Sequence, residues 1–184
     1  GTYTLNYNAI DSSGNAATTV VLTVIVRDVT MPEFTLIPPD TMIIDVKTLT
    51  SVPEPGYIYR DDYYPNSQLT ITKTGTVDLN VVGTYVIRYR ISDPSGNTDS
   101  TKFRVYKVVD RFAPVITLKG MTFMNWPRWK PFVDPGYTVT DNYDVTVNVT
   151  VDQSKVNIYL DGIYPVTFNA TDVAGNKATE VVRY

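Results

Sequence analysis

The chain has 184 residues, 43% of them hydrophobic and 19% charged, which supplies a core and leaves room for one domain or two. Its net charge of −3 offers no basic stripe to neutralise phosphates, so nucleic acid is excluded as a partner, and no apolar run reaches the roughly 18–20 residues that cross a bilayer. With no Cys and no His there are no disulfides, no thiol chemistry and none of the usual zinc sites, a balance that fits a bacterial, archaeal or viral surface protein better than a small secreted animal domain. In chain order, the first predicted element is a strand in which Tyr3, Leu5, Tyr7 and Ala9 share one face. The turn Asp11-Ser12-Ser13-Gly14-Asn15 follows, then a second strand over residues 18–26 that contains the longest apolar run, Val20 to Val26. After the junction Asp28-Val29-Thr30-Met31-Pro32 comes a strand led by Glu54-Pro55-Gly56-Tyr57. A further strand from Gly83-Thr84-Tyr85 then places Tyr85, Ile87, Tyr89 and Ile91 on one face and ends in the turn Asp93-Pro94-Ser95-Gly96-Asn97. The same order then repeats: junction Asp110 to Pro114, Asp134-Pro135-Gly136-Tyr137, and Gly162-Ile163-Tyr164 with Tyr164, Val166, Phe168 and Ala170 in phase, up to Asp172 and Asn176.

The Gly-x-Tyr strand with its Asp-x-x-Gly-Asn turn therefore occurs three times, and successive copies from Gly1 to Gly83 to Gly162 stand 82 and 79 residues apart. Roughly 80 residues with a turn every 8–12 is the size of an immunoglobulin-like sandwich. The expected fold class is all-β: tandem immunoglobulin-like antiparallel sandwiches of Greek-key type. Residues 1–29 are expected to be the terminal F–G hairpin of one repeat, 30–110 a second repeat and 111–184 a third. A lone hairpin cannot bury its own face, so its missing strands are expected from upstream in the natural chain or from another chain. Tyr3, Tyr85 and Tyr164 stand where a tyrosine corner forms, the alternative being plain core aromatics.

These motifs resemble the bacterial Ig-like repeats of surface proteins and are similar also to hyalin repeats and cadherin-like modules. The resemblance covers essentially the whole chain. It implies a structural or adhesive spacer, extracellular on a cell or virion surface, whose partners are neighbouring repeats and other surface proteins or glycans. Two other hosts fit the same modules: a secreted enzyme or toxin that uses them as accessories, and a virion or phage appendage. Nothing in the composition points to catalysis, since His and Cys are missing and the recurring carboxylates sit in turns.

The candidate ligand is calcium, with no cofactor required. In a sandwich of this order Asp110 from the junction, Asp141 and Asp144 from the turn after the Pro-Gly-Tyr strand, and Asp172 with Asn176 converge at one pole. The matching set in the preceding repeat is Asp28, Asp61, Asp62, Asp93 and Asn97, where Tyr64 stands in place of Asp144. The competing explanation is that Asp and Asn only bond their own turns. Trp126 and Trp129, beside Arg128 and Lys130, are candidate contacts for a glycan or partner protein, against packing along the sandwich edge. Asn148 and Asn169 head N-glycosylation sequons.

Overall fold

Alternation of apolar and polar residues, broken by Gly, Pro and Asx turns, lets this chain bury its apolar side by forming antiparallel strands. The computed structural model describes residues 1–184 and is all-β, with one 3-10 turn at Asn66–Gln68. The strands are β1 (Thr2–Tyr7), β2 (Val20–Ile25), β3 (Glu33–Leu36), β4 (Thr41–Asp45), β5 (Tyr57–Arg60), β6 (Thr70–Thr74) and β7 (Gly83–Ser92). They continue with β8 (Thr98–Asp99), β9 (Phe103–Val109), β10 (Val115–Leu118), β11 (Tyr137–Thr140), β12 (Asn148–Asp152), β13 (Val166–Thr171) and β14 (Val181–Arg183). The sheets are β1–β2, β3–β5, β10–β11, β12–β13–β14, and β4–β9–β7–β6 with β8 beside β7.

Two compact units result. One contains Gly1–Thr41, Glu54–Thr76 and Val86–Val105, and the other Met42–Pro53, Val77–Tyr85 and Tyr106–Tyr184. The division falls within β4, β7 and β9, and each unit holds one Asp-x-x-x-Pro junction whole.

In the first unit, Phe34 and Leu36 of β3 pack with Tyr89 and Ile91 of β7, and Tyr57, Tyr59, Leu69 and Ile71 close around them. The register Phe34↔Tyr59 and Leu36↔Tyr57 places the inward residues of β3 and β5 opposite one another. The second unit repeats this arrangement with Ile116 of β10 and Val166, Phe168 and Ala170 of β13, flanked by Leu118, Tyr137, Val139, Val149 and Val181. Tyr137 meets Phe168 edge-on at 5.6 Å, as Tyr57 meets Tyr89 at 6.1 Å. In β1–β2 the in-phase residues are paired as Tyr3↔Val24, Leu5↔Leu22 and Tyr7↔Val20, and that apolar face is exposed.

Two further features fix the strands. The Tyr85 hydroxyl donates to the Val81 carbonyl at 2.8 Å and the Tyr164 hydroxyl to the Leu160 carbonyl at 3.1 Å, each four residues upstream, which is a tyrosine corner in both copies. The ring folds back over its own glycine: a Cβ on Gly162 would lie 3.2 Å from the Tyr164 ring, which is why the motif is Gly-x-Tyr. The other feature is a buried arginine in the inward phase of the last strand. Arg104 on β9 is fully buried and donates to the carbonyls of Ile37, Pro39 and Gly56, with Glu54 3.4 Å away. Arg183 on β14 repeats it, donating to the carbonyls of Lys119 and Gly136 and pairing with Asp134 at 2.7 Å. The acidic residue before Pro-Gly-Tyr is thus the counter-ion of a buried guanidinium in both copies.

Removing one member of such a pair leaves a buried charge or unpaired carbonyls, so Arg104→Met is expected to cost about 3 kcal/mol or more in urea unfolding. Glu54 adds a pH dependence. Burial acts most strongly on it and opposes ionisation, but hydrogen bonds from Tyr89, Lys73 and the Gly56 amide outweigh burial and hold its carboxyl below the ordinary 4.5. A lowered folded-state value contributes stability that is complete above pH 4.5 and is lost as the pH falls through that lower value. The urea midpoint is therefore expected to drop on acidification, with a shallower drop in Glu54→Gln.

Candidate functional site

The Asp-x-x-Gly-Asn turn has one geometry in all three copies. In the last copy the Asn176 backbone N–H donates to Asp172 Oδ1 at 2.7 Å and its side-chain Nδ2 to Asp172 Oδ2 at 2.7 Å. The corresponding distances are 2.9 and 2.8 Å for Asn97 on Asp93, and 2.8 and 2.7 Å for Asn15 on Asp11. Gly14, Gly96 and Gly175 take φ of 85°, 92° and 92°, the left-handed region that disfavours a side chain. Asp11 is exposed, so the turn needs no tertiary support to assume this shape. Asp93 and Asp172 are each 7% exposed. Burial opposes ionisation of Asp93, but the hydrogen bonds from Asn97 and Gly96 outweigh it and keep the carboxyl below its ordinary value.

Each buried turn also grips the junction that precedes its sandwich. Asn97 Nδ2 reaches the Asp28 carbonyl at 3.5 Å and Asp28 Oδ2 at 3.4 Å, and Asn176 Nδ2 reaches the Asp110 carbonyl at 3.3 Å. Asp28 accepts from Thr30 N at 2.9 Å, and Asp110 from Phe112 N at 3.1 Å. Asp61 and Asp141 use one oxygen each to close the following turn, onto Tyr63 and Tyr64 N–H and onto Tyr143 and Asp144 N–H.

The carboxylates anticipated from the sequence do meet at these poles. Oxygens of Asp28, Asp61 and Asp62 lie within 4.8 Å of one another, as do those of Asp110, Asp141 and Asp144. The third member differs between the sets. Asp144 accepts from Val173 N at 2.7 Å, whereas its counterpart Tyr64 bonds Ser95 Oγ at 2.7 Å and Asp62 supplies the carboxylate instead. Asp93, Asn97, Asp172 and Asn176 stand behind the clusters and close their own turns. Burial, followed by the charges of Asp141, Asp172 and Asp144, pushes the Asp110 carboxyl above its ordinary value despite the Phe112 amide.

The tryptophans have separate roles. Trp126 donates its indole N–H to the Lys130 carbonyl at 3.2 Å and meets Phe132 edge-on, lining a cavity of about 340 Å³ with Phe123, Met124, Leu160 and Tyr164. Trp129 is 68% exposed, edge-on to Tyr159, and its φ of 68° places a bulky residue in the left-handed region. Asn148 and Asn169 are exposed on β12 and β13, and Asn169 Nδ2 donates to Glu180 at 2.9 Å.

Sequence reasoning passed over a second set of contacts at the later junction. Arg111 forks onto Asp45, with Nε at 2.7 Å and a terminal nitrogen at 2.8 Å. Lys47 donates to the Asn142 carbonyl at 3.0 Å with its ammonium 5.3 Å from the centre of the Tyr143 ring, and Val82 N donates to the Tyr143 hydroxyl at 3.3 Å. No repeating motif marks these residues, and only the position of Arg111 directly after the junction aspartate hints at them.

Residues 116–184 match the family of bacterial surface protein Ig-like domains, and they span β10 to β14 with the turn and buried arginine described above. Across 99% of its length the chain is 29% identical to an uncharacterized 81.3 kDa protein of Acholeplasma phage L2, covering 26% of that protein. Across 97% of its length it is 29% identical to hyalin of Lytechinus variegatus, covering 35% of it. The chain thus spans between a quarter and about a third of these relatives. The similarity to Ig-like surface repeats and to hyalin read from the motifs is present, and it points to a surface or adhesive module and to a structural role. No helix is long and apolar enough to cross a membrane.

The paired turn bonds lead to a graded prediction. Asn97→Ala and Asn176→Ala each leave a buried aspartate short of donors and are expected to lose about 1–3 kcal/mol in urea unfolding. Asn15→Ala, in the exposed copy of the same turn, is expected to leave the midpoint unchanged.

Proposed function

We propose that this chain is a spacer from an extracellular surface protein or filament, built of Ig-like repeats bounded near residues 30–110 and 111–184, that sets the length and stiffness of a stalk. The observation that carries this reading is the latch at the later junction. Arg111 holds Asp45 in a two-point ion pair whose hydrogen bond keeps the Asp45 carboxyl below its ordinary value. Lys47, Tyr143 and Val82 add contacts from other segments, so the Asp110–Pro114 linker is not the sole connection there. Surface ion pairs taken singly are weak, on the order of 0–1 kcal/mol, so stiffness rests on several contacts acting together and on Pro114 narrowing the linker. The match to a surface-protein domain supports this setting. The phage relative, alike over nearly the whole chain, supports a second one: a module of a virion appendage with the same mechanical task.

A chain without cysteine accepts spin labels at chosen sites. Labels at Lys107→Cys and Lys155→Cys, both exposed, are expected to give a narrow distance distribution by pulsed electron spin resonance. Adding Arg111→Ala and Tyr143→Ala should broaden it severalfold. A broad distribution in the parent chain would contradict a stiff spacer.

A further inference from the structure

We propose that Asp110, Asp141 and Asp144 form a binding site for one divalent cation of the hard, oxygen-seeking class, calcium. This goes beyond the spacer reading and stands or falls separately from it, because the site is defined by donor atoms and not by stiffness. Asp110 is 7% exposed. Its Oδ1 accepts the Phe112 amide, while its Oδ2 is buried and accepts nothing. Asp141 is arranged the same way: Oδ1 takes two turn amides and Oδ2 is buried with no donor. Asp144 brings a third carboxylate, and oxygens of the three lie within 4.8 Å of one another.

A turn-forming role accounts for one oxygen of each residue and leaves the other two buried oxygens unexplained. Neither of these carboxylates, nor that of Asp144, pairs with a lysine or arginine. Lys47, on the adjoining turn, is engaged by the Asn142 carbonyl and the Tyr143 ring. Buried carboxylates are ordinarily neutralised by a cation or fully hydrogen-bonded, and here neither condition is met by protein groups. Calcium suits the donor set. All the ligands are oxygens, His and Cys are absent from the chain, and calcium tolerates irregular geometry with water and backbone carbonyls completing six to eight ligands, whereas magnesium demands a near-ideal octahedron.

The earlier junction is the internal comparison. There Asp61 Oδ2 is likewise buried without a donor, but Asn97 Nδ2 donates to Asp28 Oδ2 at 3.4 Å and Thr30 Oγ1 to Asp62 Oδ2 at 3.3 Å, so protein donors occupy an oxygen of two of the three carboxylates. In the later junction Val173 N donates to Asp144 Oδ2 at 2.7 Å, but Asn176 Nδ2 reaches the carbonyl of Asp110 and not its carboxylate, and Asp110 Oδ2 and Asp141 Oδ2 both lack a donor.

Titration of the 184-residue chain with calcium chloride by calorimetry, with magnesium chloride as control, tests the site. Saturable calcium binding is expected, with a dissociation constant on the order of 10⁻⁴ to 10⁻³ M and weaker magnesium binding. Asp110→Asn keeps the turn bond to Phe112 and is expected to weaken calcium at least tenfold, while Asp28→Asn leaves it unchanged. Melting supplies an independent readout. Without calcium, Asp110→Asn is expected to melt at or above the parent, because the amide relieves a buried charge; at saturating calcium the order inverts. Absence of saturable binding, unaltered affinity in Asp110→Asn, or an equal loss of melting temperature with and without calcium would each overturn the site.

Discussion

The structure depends on one short-range clasp, the two hydrogen bonds by which an asparagine closes on an aspartate four residues before it. The exposed copy at Asp11 and Asn15 has the same shape as the buried ones, so the local sequence is sufficient to form it. Burial then changes its consequence. In Asp93 and Asp172 the clasp satisfies a carboxylate that could not otherwise be taken out of water, and the same asparagine amide extends to the junction backbone. A turn that connects two strands thereby becomes the attachment of one segment to the linker before it.

Much of this was legible in the sequence, for identifiable reasons. The in-phase Tyr85, Ile87, Tyr89 and Ile91 appear on β7 as anticipated, because alternation fixes which face is inward. The tyrosine corners at Tyr85 and Tyr164 and the convergence of Asp110, Asp141 and Asp144 followed from the topology that those turns imply. Arg104 and Arg183 went unread, although each occupies an inward phase and they stand 79 residues apart, the same spacing as Gly83 and Gly162. Nothing local distinguishes a buried arginine from an exposed one; its partners Ile37, Gly56 and Glu54 are distant in sequence. The Asp45–Arg111 and Lys47–Asn142 contacts were hidden for the same reason.

The buried arginine and the clasp divide the task between them. Arginine ties the last strand to carbonyls of two loops and to the acidic residue before Pro-Gly-Tyr, which holds the sandwich together from inside. The clasp holds the junction, where Arg111, Lys47 and Tyr143 add contacts that a flexible tether would lack. Each compact unit contains one junction whole.

Whether the junctions are integral to the fold is tested most directly by amide hydrogen exchange, read residue by residue. The Asn97 and Asn176 amides, bound to buried aspartates, are expected to exchange as slowly as those of Tyr89 and Phe168 in the strands, while the Asn15 amide exchanges quickly. If Asn97 and Asn176 exchange as fast as Asn15 while the strands stay protected, the clasps are surface turns and the joints are loose.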